Sequence, residues 1–176
     1  MRNLTLAVAA TAALGLAGAA QADLEIFLDT DVDGANPVVF TFDQDTHGPI
    51  TEIAWDLAID SFSPSWNSEI RIALLHVPSG NGFTMGGGDD PSVDINFGWP
   101  DSSGPNTTMG SVLPGDIGLP DFDSFGLWEV TVDESFDDAG IDSHLTGTIT
   151  LFKAAPAPGA LALLGLAGLA GTRRRR

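Results

Sequence analysis

The chain has 176 residues, no cysteine, and a formal net charge of −17 from 24 acidic and 7 basic side chains. Without cysteine there are no disulfides, cysteine nucleophiles, thiolate zinc sites or iron–sulfur clusters. The acidic surplus repels phosphate backbones, which argues against nucleic acid as a partner.

Met1 to Ala22 has the three parts of a secretory signal. Arg2 supplies the charged start, Leu4 to Ala20 is an apolar, helix-forming stretch, and Ala20-Gln21-Ala22 offers a cleavage site before Asp23. This predicts removal of residues 1–22 by signal peptidase.

Asp23 to Lys153 then forms one domain of 131 residues, long enough to bury a core. It holds every acidic residue and only Arg71 and Lys153 as bases, a formal charge of about −22. Strand patterns dominate it. Leu24 to Leu28 alternates modestly, and Val38 to Phe42 is β-branched and aromatic. Ile53, Trp55, Leu57 and Ile59 share one face of the next run, as do Ile70, Ile72 and Leu74 after it. The segment from Gly80 to Phe125 is rich in Gly and Pro and reads as long surface loops, with a further short strand around Val93, Ile95 and Phe97. Leu127 to Val132 and Leu145 to Phe152 are the closing strands. No helical period runs through Asp23 to Lys153, so the pattern predicts an all-β, antiparallel sandwich or jelly roll.

Ala154 to Arg176 is different again. Gly159 to Gly171 gives 13 apolar residues, and Ala154 to Pro158 extends the run to 18. A membrane-spanning helix needs about 20, so this is a minimal span. Arg173, Arg174, Arg175 and Arg176 would hold its end on the cytoplasmic side of the inner membrane.

Pro156-Ala157-Pro158, the Gly/Ala/Leu run and the arginine cluster together resemble a PEP-CTERM sorting signal, with Ala157 in place of the usual glutamate. That resemblance implies a bacterial envelope protein, a short C-terminal transmembrane helix and an exosortase-like enzyme acting near Pro156 to Pro158. Two internal blocks resemble the P/Homo B domain that accompanies subtilisin-like convertases. One is Ile50 to Gly80, ending in Pro78-Ser79-Gly80. The other is Gly126 to Phe152, with Gly126, Trp128, Val130 and Val132, then Asp133, Asp138 and Gly140. His144 stands near where the family carries a tryptophan. This resemblance implies an eight-stranded, jelly-roll-like sandwich and a calcium site. It does not imply a protease, because the catalytic domain is absent.

Two acidic groups are candidate calcium sites. Asp29, Asp31, Asp33 and Gly34 resemble the start of an EF-hand loop, but Phe40 stands where the bidentate glutamate belongs and Pro37 interrupts. The alternatives are a non-EF calcium loop and a solvated Asp/Gly turn. The second group surrounds a turn, with Asp133 and Asp138 at the resemblance's acidic positions and Glu134, Asp137 and Asp142 beside them. Crowded carboxylates repel unless a cation sits between them; the alternative is a solvent-facing hairpin loop.

His47, His76 and His144 are far apart in sequence, and no nucleophile-elbow motif surrounds Ser79 or Ser143. They read as ordinary surface or edge residues. Trp55 and Trp128 lie on alternating strands and read as core. Trp66 and Trp99 lie in polar, proline-flanked loops, where exposed indoles serve as platforms for sugar rings or cap the sandwich. The sequence therefore predicts an exported, non-catalytic surface or matrix protein acting in adhesion, matrix structure or binding. Exopolysaccharide is the candidate partner. The alternative is a carbohydrate-binding or calcium-dependent lectin-like module.

Overall fold

In the computed structural model, residues 23–45, 47–88, 92–136 and 141–154 are described. The predicted signal helix, the transmembrane tail, Ala20, Ala22, Pro156, Pro158 and the terminal arginines lie outside them. Among the described residues, no helix is long and apolar enough to cross a membrane.

The strands are β1 (Leu24–Val32), β2 (Val38–Gln44), β3 (Ile50–Ser61), β4 (Ile70–His76), β5 (Asn81–Gly86), β6 (Ile95–Asn96), β7 (Gly104–Val112), β8 (Gly126–Glu134) and β9 (Ser143–Lys153). Short 3₁₀ turns occupy Asn67–Glu69 and Pro114–Ile117. One sheet has the order β1-β9-β3-β7, the other β2-β8-β4-β5-β6. All pairings are antiparallel except the two-residue β5–β6 contact. The all-β sandwich expected from the alternation is therefore present. The loop expectation for residues 80–125 needs correction, because β5 and β7 lie within it.

The core forms where the inward faces meet. Ile26, Leu28, Ile53, Leu57, Ile59, Leu145, Ile149 and Leu151 come from the first sheet. Ile70, Ile72, Leu74, Phe83, Met85, Trp128, Val130 and Val132 come from the second. Each such side chain contributes about 1.5–3 kcal/mol on burial. Trp128 is fully buried, as the pattern predicts, and donates its indole N–H to the Ser124 carbonyl at 3.0 Å. Trp55 is only half-buried. It lies near the β7 edge and points its Nε1 at Thr108 Oγ1, 3.3 Å away.

Register defines two ends of the sandwich. One is marked by Val32 and Ser61 opposite Ser143, with Ile70 opposite Glu134. The other is marked by Leu24 opposite Leu151, Ile50 opposite Lys153, and His76 opposite Trp128. At this second end the chain enters at Asp23 and leaves at Ala154, whose N–H donates to the Pro49 carbonyl at 3.1 Å.

Candidate functional site

The entry-and-exit end carries a pocket of about 290 Å³, lined by His47, His76, Pro78, Ser79, Phe122, Asp123 and Phe125. Three segments build it: the β2–β3 connection, the tight β4–β5 turn and the approach to β8. The turn closes because Gly80 adopts φ +70 and donates its N–H to the His76 carbonyl at 2.9 Å. This brings Ser79 Oγ to 2.8 Å from His76 Nδ1, while His76 Nε2 sits 3.0 Å from the Phe125 carbonyl. The carbonyl can only accept, so Nε2 carries a proton, and in the neutral ring Nδ1 accepts from the serine. His76 is buried between rings, with Phe122 and Trp128 each 5.0 Å from it by centroid.

Asp123 fixes the opposite wall. Its Oδ1 accepts from the Gly48 and Phe125 N–H groups, each at 3.0 Å, and its Oδ2 lies 2.8 Å from His47 Nδ1. The Gly48 hydrogen bond, then those to His47 and Phe125, hold its carboxyl down at about 2. His47 in turn lies flat against Phe125, 4.2 Å between centroids and 8° between planes. Lys153, at the same end, has its pKa lowered by burial, against the opposing pull of Asp23, Asp45 and Asp123.

The sequence treats the three histidines as scattered, yet the fold brings His47 and His76 into one pocket with Ser79. Asp123, Phe122 and Phe125 belong to no motif in the sequence. The only local signal is an aspartate flanked by two phenylalanines in a turn-rich segment, and nothing in it gives the partner some 76 residues away.

The expected calcium ligands do not converge. Asp29 and Asp31 lie on the outer face of β1 and bracket His144, at 3.2 Å from Nε2 and 2.8 Å from Nδ1. Asp33 turns into its own loop, accepting from Ala35 N–H and Asn36 Nδ2, both at 2.9 Å. Asp133 is held by both arms of Arg71, and Asp138 lies outside the described residues. Among the described residues, no group of three or more His, Asp or Glu is arranged to hold a metal ion.

The two candidate sugar platforms also separate. Trp66 is 43% exposed, so its indole is available. Trp99 is 4% exposed and packs on Phe97 at 4.7 Å, which corrects the expectation of an open platform there. The proline-flanked loop holding Trp99 folds back over the core because a large apolar ring gains more from burial than the loop loses.

No protein-family model matches the sequence, and no curated protein matches it. Among solved structures, the chain is similar to one of infectious bursal disease virus, Gx strain, at 18% identity and a TM-score of 0.37. That match covers 79% of this chain and 34% of that one. A second likeness is to the VP2 subviral particle of infectious bursal disease virus, at 12% identity and a TM-score of 0.35, covering 73% and 32%. The chain thus spans about a third of the length of either. Such scores do not define a shared fold.

Proposed function

We propose that this chain is an exported, non-catalytic protein of the cell surface or extracellular matrix, whose sandwich displays a small binding pocket. The signal peptide would deliver the domain across the inner membrane, signal peptidase would cut before Asp23, and a PEP-CTERM-type tail would present the chain to an exosortase-like enzyme. The domain boundaries read from sequence, 23 and 153, fall at the ends of β1 and β9, which supports the division into leader, sandwich and tail. The strand order β1-β9-β3-β7 against β2-β8-β4-β5 supports a jelly-roll winding, with β6 an added two-residue edge.

The observation that carries the binding reading is the state of the pocket's polar atoms. Both oxygens of Asp123 and both ring nitrogens of His76 are already committed to holding the loops together. A serine hydroxyl on an oriented imidazole is also how a nucleophile and its base are joined, but His76 is 2% exposed between Phe122 and Trp128, which keeps this ring from a substrate. Here the Ser79–His76 contact locks a turn. What remains on offer are ring faces and edges of Phe122, Phe125 and His47, the surface that planar or ring-shaped ligands prefer.

A carbohydrate ligand, exopolysaccharide in particular, is the second reading, favoured by the exposed indole of Trp66. A glycan array with the wild-type protein tests it. Binding lost in Phe125→Ala supports the pocket, and binding lost only in Trp66→Ala moves the site to the other end. Absence of signal on any glycan removes the carbohydrate reading and leaves adhesion or matrix structure through protein contacts.

A further inference from the structure

At the end of the sandwich opposite the pocket, a carboxyl stands where the core pattern asks for an apolar side chain. Trp128, Val130, Val132 and Glu134 share the inward face of β8, and all four are buried. Glu134 is 5% exposed, and Asp142, just before β9, is 3% exposed. Ser143 Oγ lies 3.0 Å from Glu134 Oε1 and 2.9 Å from Ser61 Oγ. One hydroxyl has one proton, so both contacts are satisfied when Ser61 donates to Ser143 and Ser143 donates to Glu134.

Glu134 Oε2 and Asp142 Oδ2 are buried with no other group donating to them, and the two carboxyls lie within hydrogen-bonding reach of each other, where they can share a proton. Ser65 Oγ and Asn67 Oδ1, at the same end, are also buried with no group donating to them. Four of the six such atoms among the described residues gather here, and all four are oxygens able to accept. Among the described residues, the bases have other partners or lie elsewhere. Arg71 is engaged by Asp133, Lys153 lies at the opposite end, and His144 faces outward between Asp29 and Asp31. Buried carboxylates with no base nearby take up a proton or a metal ion.

We propose that Glu134 and Asp142, with the Ser143 hydroxyl, form a binding site for a hard divalent cation of the calcium type. The donor set is oxygen alone, which suits calcium and not the softer metals that prefer imidazole or thiolate. Calcium accepts mixed carboxylate, hydroxyl, carbonyl and water ligands at flexible geometry, so two carboxylates can anchor it. The frame around the site is fixed: Asp142 N–H donates to the Val32 carbonyl at 2.9 Å, and Phe62 N–H to the Asp142 carbonyl at 2.6 Å. A cation here would tie the end of β8 in one sheet to the start of β9 in the other. The site is separate from the β1 aspartates and from Asp133, and it is independent of the pocket reading.

The test uses the full chain, stripped with EDTA and titrated with calcium chloride, with magnesium chloride as the control. Calorimetry should show a saturable calcium site, and the melting temperature should rise with occupancy. Both responses should be lost in the Glu134→Gln/Asp142→Asn double variant and kept in Asp29→Asn/Asp31→Asn. Ser143→Ala, a smaller change, should weaken calcium binding while leaving the fold intact, and it serves if the double variant does not fold. No binding to the wild-type chain at millimolar calcium would show that the pair holds a proton only, and would overturn the proposal. Undiminished binding in the double variant or in Ser143→Ala would place the ion elsewhere and overturn it equally.

Discussion

Arg71 meets Asp133 with two parallel hydrogen bonds, Nε to Oδ1 at 2.9 Å and Nη2 to Oδ2 at 2.8 Å, across the β4–β8 ladder where the two residues are direct partners. Each side chain keeps a quarter or so of its surface in water, 31% and 21%. The paired geometry is the strong form of the interaction, but partial exposure screens it. Asp133→Asn is therefore expected to cost about 1 kcal/mol in urea denaturation, and Arg71→Lys somewhat less. Calcium response should be unaltered in Asp133→Asn, because this carboxylate is committed to the guanidinium.

Stability should depend on pH through two carboxyls of opposite sign. Burial, partly offset by the Ser143 hydrogen bond and reinforced by the charge and hydrogen bond of Asp142 and by the charge of Glu69, pushes Glu134 from 4.5 up to about 8. The folded protein holds that proton more tightly than the unfolded chain. The stability it confers is complete below 4.5 and is lost progressively as pH rises to about 8. Asp123 runs the other way: its contribution is present above 3.8 and is lost as pH falls toward about 2. In EDTA, the melting temperature should fall between about pH 5 and pH 8, and Glu134→Gln should flatten that slope. An equally steep fall in the variant would assign the effect to another group.

Gly147 sits in the middle of β9, paired with Leu28 on one side and Leu57 on the other. Its φ is +131, and a Cβ there would collide with the Asp56 carbonyl oxygen and come within 2.8 Å of Leu57 Cα. Neither atom can move without breaking the ladder. Gly147→Ala should destabilise the fold by at least about 2 kcal/mol, from combined backbone strain and overlap. Thermal unfolding of that variant measures it directly.

The two loop tryptophans should separate stability from surface function. Trp99→Ala removes a buried ring packed on Phe97 and is expected to cost about 3 kcal/mol or more. Trp66→Ala removes a half-exposed ring and should cost about 1 kcal/mol or less. The backbone hydrogen bond from Trp66 N–H to Glu69 Oε2 survives that change. Matched denaturation curves for the two variants give the comparison.

Much of the strand framework was legible because its alternation is strong. Ile53, Leu57 and Ile59 on β3, and Trp128, Val130 and Val132 on β8, all point inward as the period-two pattern predicts. β7 was illegible for a physical reason. It is an edge strand whose half-buried positions are Gly104, Asn106, Thr108 and Val112, so a single apolar side chain marks its inner face. β5 carries glycines at Gly82 and Gly86 where its backbone abuts β4, and these mimic a loop. Glu134 was partly legible, since it shares the parity of Trp128, Val130 and Val132. The pocket was not, because the His47–Asp123 contact depends on how the strands wind. Local pattern carries no information about such long-range pairs.

The account rests on export of the sandwich from the cell, so the mature N-terminus is the most direct measurement. Protein shaved or released from the surface of expressing cells should give a mass-spectrometric N-terminus at Asp23, with residues 1–22 absent. Recovery of the chain in the cytoplasm with Met1 or Arg2 at its start, and none at the surface, would contradict the account.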